Sequence, residues 1–298
     1  MRKGIVLAGG SGTRLMPLTE FVCKQLLPVY DKPMVYYPLS TLILLGITDI
    51  LIISTPRDTP ILEKAIGDGS KLGLKITYKA QAAPNGLPEA FILGEEFIGN
   101  DPVCLMLGDN ILHVADLYKN FQNCINVKDG AVIVGTPVVD PSAFGVVELD
   151  TENNIVSIEE KPKHPKSNIA AIGLYFYDNT VVAKAKSLKP SSRNETEITD
   201  LNKLYLQEGK LKCQRLSRGA TWLDAGTFDA LSDASTFIRI VEKRLGLKIG
   251  CIEEAAYMMN RIDKNELIEL ANYYGKSPYG AYLQMVSTLK EEVEYELC

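Results

Sequence analysis

The sequence predicts a doubly wound α/β fold on a mainly parallel sheet, with an insertion and a helical C-terminal region. Three observations predict it. Short apolar runs bounded by turn residues recur through the first half of the chain. Helix-compatible stretches lie between them, and strand, crossover, strand in that order implies parallel pairing. The runs read as strands covered by helices on both faces of the sheet.

Taken in order, residues 4–8, 50–54, 103–107 and 131–135 are the buried strands, and 34–45, 60–66 and 87–97 are the helices between them. From about residue 140 the pattern changes. Residues 145–149, 155–158, 171–177 and 211–216 read as further strands, some of them antiparallel. Residues 197–207 form a helix opened by Thr196 or a neighbour as cap. Residues 227–248, and the chain from 252 to its end, read as helix. No linker, repeat or low-complexity stretch separates these parts. The expectation is one continuous core over residues 1–245 and a helical region over 246–298.

Composition narrows the function. A chain of 298 residues, 46% hydrophobic and 23% charged, matches a globular protein that buries its core without disulfides or structural metal. A net charge of −5 argues against general nucleic-acid binding. It leaves room for a local basic site for a small anion. Cys23, Cys104, Cys124, Cys213, Cys251 and Cys298 lie far apart, with no CxxC pair and only two histidines. That spacing fits neither a zinc site nor a disulfide framework. Free thiols in a reducing cytoplasm are expected. Cys23 lies close to the motifs below but has no histidine near it in sequence to activate it. The opening MRKGIVLAGG is too short an apolar run for a signal peptide, and the longest apolar stretch, 42–53, is interrupted by Asp49. The protein is expected in the cytoplasm.

The segment Leu7-Ala8-Gly9-Gly10-Ser11-Gly12-Thr13-Arg14 runs from a strand into a loop with three glycines in four residues. Glycine lets backbone approach a phosphate closely, and successive N–H groups can form an anion-binding concavity. Arg14 adds a forked cation for phosphate oxygens. The loop lacks the Gly-Lys-Ser/Thr ending of a P-loop, and its Gly9-x-x-Gly12 spacing misses the dinucleotide fingerprint. Taken alone it is equally a plain turn. Lys24, in Cys23-Lys24-Gln25-Leu26-Leu27-Pro28, is either a surface lysine or the second member of a cationic pair with Arg14.

Asp109, in Leu107-Gly108-Asp109-Asn110, stands just past a predicted parallel strand, where α/β sheets place their ligands. Asp224, in Trp222-Leu223-Asp224-Ala225-Gly226-Thr227, follows another strand-like run and precedes a helix. Each is a turn or capping residue, or the two meet on one Mg²⁺ held against triphosphate oxygens. Glu159-Glu160-Lys161-Pro162 is either a charged turn, or a site placing Lys161 on a sugar phosphate and a glutamate on sugar hydroxyls.

Together these segments resemble the glucose-1-phosphate thymidylyltransferases. The resemblance runs from residue 3 to about residue 285. It includes LAGGSGTRL, KQLLPVYDKPMVYYPLSTL, DILIISTP, GEEFIG, LGDN, FGVVE, EEKP, GLYFYDN, EITDLN and WLDAGT in order. It implies a Rossmann-like nucleotidyltransferase sheet with a sugar-side insertion, a homotetramer, and a reaction in which nucleotide binds before sugar phosphate. Carried over by residue, Leu7, Gly9, Gly10 and Arg14 meet the nucleotide, with Lys24 beside them. Gln81 and Gly86 face the base. Asp109 and Asp224 hold Mg²⁺, and Lys161 meets the sugar phosphate. Leu87, Asn110, Gly145, Glu160, Thr199 and Trp222 line the sugar pocket. The implied reaction is in-line attack of glucose 1-phosphate on the α-phosphorus of dTTP, with pyrophosphate leaving and no covalent intermediate. Arg14, Lys24, Lys161 and Asp109 carry it.

The sequence departs from the family pattern in places. Ile111-Leu112-His113-Val114-Ala115 stands where an aromatic pair and Gly-His are usual, in the family's regulatory site between subunits. Ala225 replaces a threonine, Asn85 an aspartate, and Pro88-Glu89 a small-polar pair beside the base loop. These leave a uridylyltransferase, or an enzyme of another sugar 1-phosphate such as an amino or acetamido sugar, as the alternatives.

Overall fold

A computed structural model describes residues 2–10 and 12–289. The first half runs β1 (Lys3–Leu7), α1 (Leu18–Phe21), β2 (Pro28–Val29), β3 (Lys32–Pro33), α2 (Tyr36–Leu44), β4 (Asp49–Ser54), α3 (Thr59–Ile66) and β5 (Lys75–Ala80). It continues through α4 (Glu89–Leu93), α5 (Glu95–Ile98), β6 (Val103–Leu107), β7 (Asn110–His113), α6 (Leu117–Ile125) and β8 (Ala131–Pro137). The second half brings β9 (Gly145–Leu149), β10 (Ile155–Glu160), β11 (Ile169–Tyr177), α7 (Val181–Ser187), α8 (Ile198–Gln207), β12 (Leu211–Arg215) and β13 (Thr221–Asp224). Helices α9 (Phe228–Leu245), α10 (Ile252–Met258), α11 (Lys264–Tyr274) and α12 (Pro278–Leu289) follow.

The main sheet is ordered β12-β8-β11-β6-β1-β4-β5, and the β9–β10 hairpin is attached to the start of β11. Strands β6, β1, β4 and β5 are parallel, while β11 runs antiparallel to both β6 and β8. Pleating sends alternate side chains to opposite faces. Val6, Ile50, Ile52, Cys104 and Met106 pack against α2, α6 and the C-terminal helices. Their neighbours Ile5, Leu51, Ile53, Val103 and Leu105 pack against α4, α7 and α8. Both faces being covered is why these strands read as unbroken apolar runs.

The expected strands and helices stand close to the observed ones, with instructive differences. The helix expected over 87–97 is two, α4 and α5, meeting at Gly94. A Cβ at Gly94 would lie 2.9 Å from Ala90 O and 3.1 Å from Ile5 Cδ1, so the close approach to β1 selects glycine. Edge strand β5 reads KITYKA, too polar to register as a buried run. The two-stranded β7–β13 ribbon, off the main sheet, was also not anticipated. At α8 the capping position belongs to Glu197, with no side-chain cap bond. Thr196 instead directs both its N–H and its hydroxyl to Asn85 O.

Helix α9 opens on Thr227, whose Oγ1 accepts from Ala230 N at 3.2 Å, and closes on Gly246 in the left-handed region. The run from 252 is three helices, and its last residues, 290–298 with Cys298, lie outside the described ones. Cys251, Ile252, Ala255, Ala256, Leu267 and Leu283 of this region join the same core as α2 and β4. A polar network accompanies them. Lys32 Nζ lies 2.8 Å from Glu242 Oε1, Tyr279 donates to Glu253 Oε2 at 2.6 Å, and Tyr282 Oη lies 2.8 Å from both carboxylate oxygens of Glu254. Among the described residues, no helix is long and apolar enough to cross a membrane.

Candidate active site

The carboxyl ends of β1 and β6 stop side by side, with Gly108 N–H donating to Leu7 O at 2.9 Å. A Cβ at Gly108 would lie 3.0 Å from both Ala8 Cα and Leu7 O, so glycine permits this approach. The loop after β1 turns through Gly10 (φ +106°) and Gly12 (φ +62°), backbone that glycine adopts without strain. Thr19 Oγ1 donates to Gly12 O at 2.8 Å and pins the loop's far side.

These ends open into a cavity of about 520 Å³. Every site residue singled out from the sequence lines it. At the loop end stand Leu7, Gly9, Gly10 and Arg14, with Lys24 beside them. Gln81, Gly86 and Leu87 line it, as do Gly145, Glu160, Lys161 and Thr199. Asp109, Asn110, Trp222 and Asp224 complete it.

Two carboxylates come together through the β7–β13 ribbon. Asp224 pairs with Asn110 in register, and Ala225 N–H donates to Asp109 O at 3.0 Å. Asp109 is met by Lys24 Nζ at 2.5 Å and by Asn110 Nδ2 at 3.0 Å. Arg14 reaches the same place: a Cβ at Gly226 would lie 3.0 Å from both Arg14 Nη2 and Asp224 Oδ1. Burial, and then the neighbouring Asp109 carboxylate, pushes Asp224 up to about 6, against the pull of Lys24, Arg14 and Lys161. Three cations and two carboxylates therefore share one field.

Asn110 has a second duty. Its Oδ1 accepts from Trp222 Nε1 at 2.6 Å and from Gly173 N at 3.0 Å. Trp222 thus spends its one donor within the wall, and its ring meets Phe144 edge-on at 5.1 Å. Thr199 donates to Glu160 Oε2 at 2.5 Å. Lys161 holds φ +45°, an uncommon conformation for a side-chain-bearing residue, and its N–H donates to Phe144 O at 3.0 Å.

Gly86 has φ +105°, and a Cβ there would lie 2.0 Å from Thr196 O. The loop at 85–86 is therefore stapled to the turn before α8. Cys23 is buried, which pushes its thiol up to about 11, and Sγ donates to Gln25 Oε1 at 3.3 Å. It is an inert core thiol, and all five described cysteines are free.

Sequence reasoning missed Arg193, Gly173 and Phe144, which also line the cavity. Arg193 lies 2.6 Å from Glu197 and 3.6 Å from Glu160. It sits in a polar loop, Ser191-Ser192-Arg193-Asn194, with nothing to separate it from a solvated one. Gly173 did carry a signal, because an isolated glycine inside a strand marks close approach. A Cβ there would lie 2.6 Å from Asn110 Oδ1.

Comparison with known proteins agrees with this architecture. Residues 3–240 match the model of the nucleotidyl transferase family. A glucose-1-phosphate thymidylyltransferase of Mycolicibacterium smegmatis is 54% identical over 281 residues, 94% of this chain and 97% of that protein. A crystal structure from Bacillus anthracis, provisionally named a glucose-1-phosphate thymidylyltransferase and bound to sucrose, is 41% identical. It superposes with a TM-score of 0.75 over 80% of this chain and 96% of that one. A UDP-glucose pyrophosphorylase bound to UDP-glucose, 24% identical, shares the fold with a TM-score of 0.69 over 82% of this chain and 100% of its own. The chain belongs to the nucleotidyl transferase family, among the glucose-1-phosphate thymidylyltransferases.

Proposed function

We propose that this chain joins a thymidylyl group from dTTP to glucose 1-phosphate, giving dTDP-glucose and pyrophosphate. The observation that carries the reading is the convergence of Arg14, Lys24 and Lys161 on the Asp109–Asp224 pair in one cavity. A reaction that brings a triphosphate against a phosphomonoester needs that much positive charge. Relatives bearing the thymidylyltransferase name at 54% and 51% identity support the choice of substrates.

In this reading Leu7, Gly9 and Gly10 cradle the nucleotide, and Gln81 and Gly86 hold its base. Leu87, Asn110, Gly145, Glu160, Thr199 and Trp222 enclose the sugar. Arg14 and Lys24 neutralise the triphosphate, and Lys161 draws the sugar phosphate oxygen into line with the α-phosphorus. Positioning and charge supply the acceleration, as in other phosphoryl transfers. No side chain needs to bond covalently to substrate.

Asp109 and Asp224 fit a divalent cation. Burial, and then the neighbouring Asp109 carboxylate, make an ionised Asp224 costly, which a cation beside them would relieve. Among the described residues no group of three or more His, Cys, Asp and Glu could hold a metal. Two carboxylates suit Mg²⁺, which binds few protein ligands and completes its shell with water and phosphate oxygens. When bound, Mg²⁺ neutralises triphosphate charge. The reading also carries a homotetramer, a cytoplasmic setting, and division into a core over 1–245 and a helical region over 246–298. Light scattering checks the assembly.

Pyrophosphate release tests the function, with glucose 1-phosphate and Mg²⁺ fixed and dTTP compared with UTP. Strong release with dTTP is expected. Preference for UTP would reassign the chain as a uridylyltransferase, and a panel of amino and acetamido sugar phosphates tests the sugar. Release with neither nucleotide on any sugar phosphate overturns the reading.

A further inference from the structure

Glu89 stands behind Gln81, outside the cavity lining. We propose that Glu89 sets the base selectivity of the pocket by fixing which end of the Gln81 amide faces the ligand. The proposal rests on the reading above, in which Gln81 meets the base.

Gln81 Nε2 donates to Glu89 Oε2 at 2.5 Å, and Asn85 Nδ2 donates to Glu89 Oε1 at 2.8 Å. A carboxylate only accepts, so the Gln81 atom against it must be the nitrogen. Reversing the amide would set two oxygens against each other. The remaining N–H of Gln81 points to Gly86 O at 3.5 Å. Both amide hydrogens are thus turned toward protein, and among the described residues no group donates to Oε1.

That oxygen lies against the phosphate loop, where a Cβ at Gly9 would be 2.9 Å from it. Gln81 is 8% exposed, so it has little room to swing away. A bare acceptor at this wall matches a ring N–H. Thymine and uracil present one at N3, whereas cytosine presents a lone pair there. Two acceptors facing each other leave both unsatisfied, and sites that require a hydrogen bond reject such ligands strongly. Glu89 itself lies outside the cavity lining. It is a positioning residue, acting through Gln81.

The test compares kcat/KM for dTTP and dCTP, with glucose 1-phosphate saturating, in the wild type and two variants. The wild type is expected to prefer dTTP by at least ~100-fold, the scale of a site built to pair one polar group. Glu89→Gln offers Gln81 either end of an amide, so the preference should fall by at least ~10-fold, the scale of one hydrogen bond. The KM for glucose 1-phosphate should stay unchanged. Glu89→Lys, which donates to Gln81 Oε1 and turns the nitrogen inward, should favour dCTP further and does not depend on the first variant folding well. Equal losses for dTTP and dCTP, or a wild-type preference retained in both variants, overturn the role of Glu89 alone. A wild type that uses dTTP no better than dCTP overturns the base reading of Gln81, and this proposal with it.

Discussion

Trp222 donates its indole N–H to Asn110 Oδ1 at 2.6 Å, in the register where the two residues' strands also carry Asp224 and follow Asp109. The same oxygen accepts Gly173 N at 3.0 Å, so one side chain ties β7, β13 and β11 together under the cavity. Trp222→Phe keeps the ring against Phe144 but leaves Asn110 one donor short. Stability should fall by about 1 kcal/mol, read as a lower midpoint in urea with unchanged slope. Pyrophosphate release should fall several-fold as the carboxylate pair loosens.

Asp109→Asn removes the charge that Lys24 meets at 2.5 Å and half of the pair offered to a cation. Turnover should drop by at least ~100-fold, the scale of one lost electrostatic stabiliser. Steady-state rates at saturating Mg²⁺ measure it. Wild-type turnover there would remove Asp109 from the machinery.

Gly86→Ala would force a Cβ to within 2.0 Å of Thr196 O at φ +105°. The obstacle is backbone, so it cannot rotate away. A loss of about 2 kcal/mol or more is expected on denaturation. Nucleotide KM should rise more than the KM for glucose 1-phosphate, because the strained loop borders Gln81.

Burial pushes Glu254 up to about 7, well above its ordinary value near 4.5. Its neutral form is the one the fold favours. The stability it contributes is therefore full below about pH 4.5 and is lost as pH rises through about 7. Glu254→Gln stays neutral throughout. Its stability relative to wild type should grow by about 1–2 kcal/mol between pH 5 and pH 8, seen in paired thermal melts. A constant difference across that range would show that Glu254 ionises freely in the fold.

The core strands were legible because burial on both faces leaves no room for polar residues, and β1, β4, β6 and β8 carry that constraint openly. The loop after β1 was legible because close backbone approach demands glycine. Strand β5 was not, since an edge strand half-facing water reads like a helix or a loop. The β7–β13 ribbon was hidden for another reason. Asn110 to His113 is a strand only because residues 221–224 lie beside it, and pairing at that distance leaves no local trace. The same holds for Arg193, whose place in the cavity comes from the fold of a loop and not from its own neighbours in sequence. Glu89 could be noticed as a departure, but its partner could not be named until Gln81 was seen against it.

Strand β11 is the single antiparallel member of the seven-strand path, and it is long. Its start pairs with β9 at the end where Glu160 and Lys161 lie, and its finish pairs with β6, whose end leads to Asp109. Ala170 lies opposite Val146 and Leu174 opposite Met106, and between them the register of β11 against β8 shifts, so one continuous but bulged stretch connects the two. On the proposed reading, that segment is a ruler. The separation between the two reacting phosphates then follows from one continuous strand, its bulge included. A change in the β9–β10 hairpin at one end then leaves the Asp109 end of the strand where it stands.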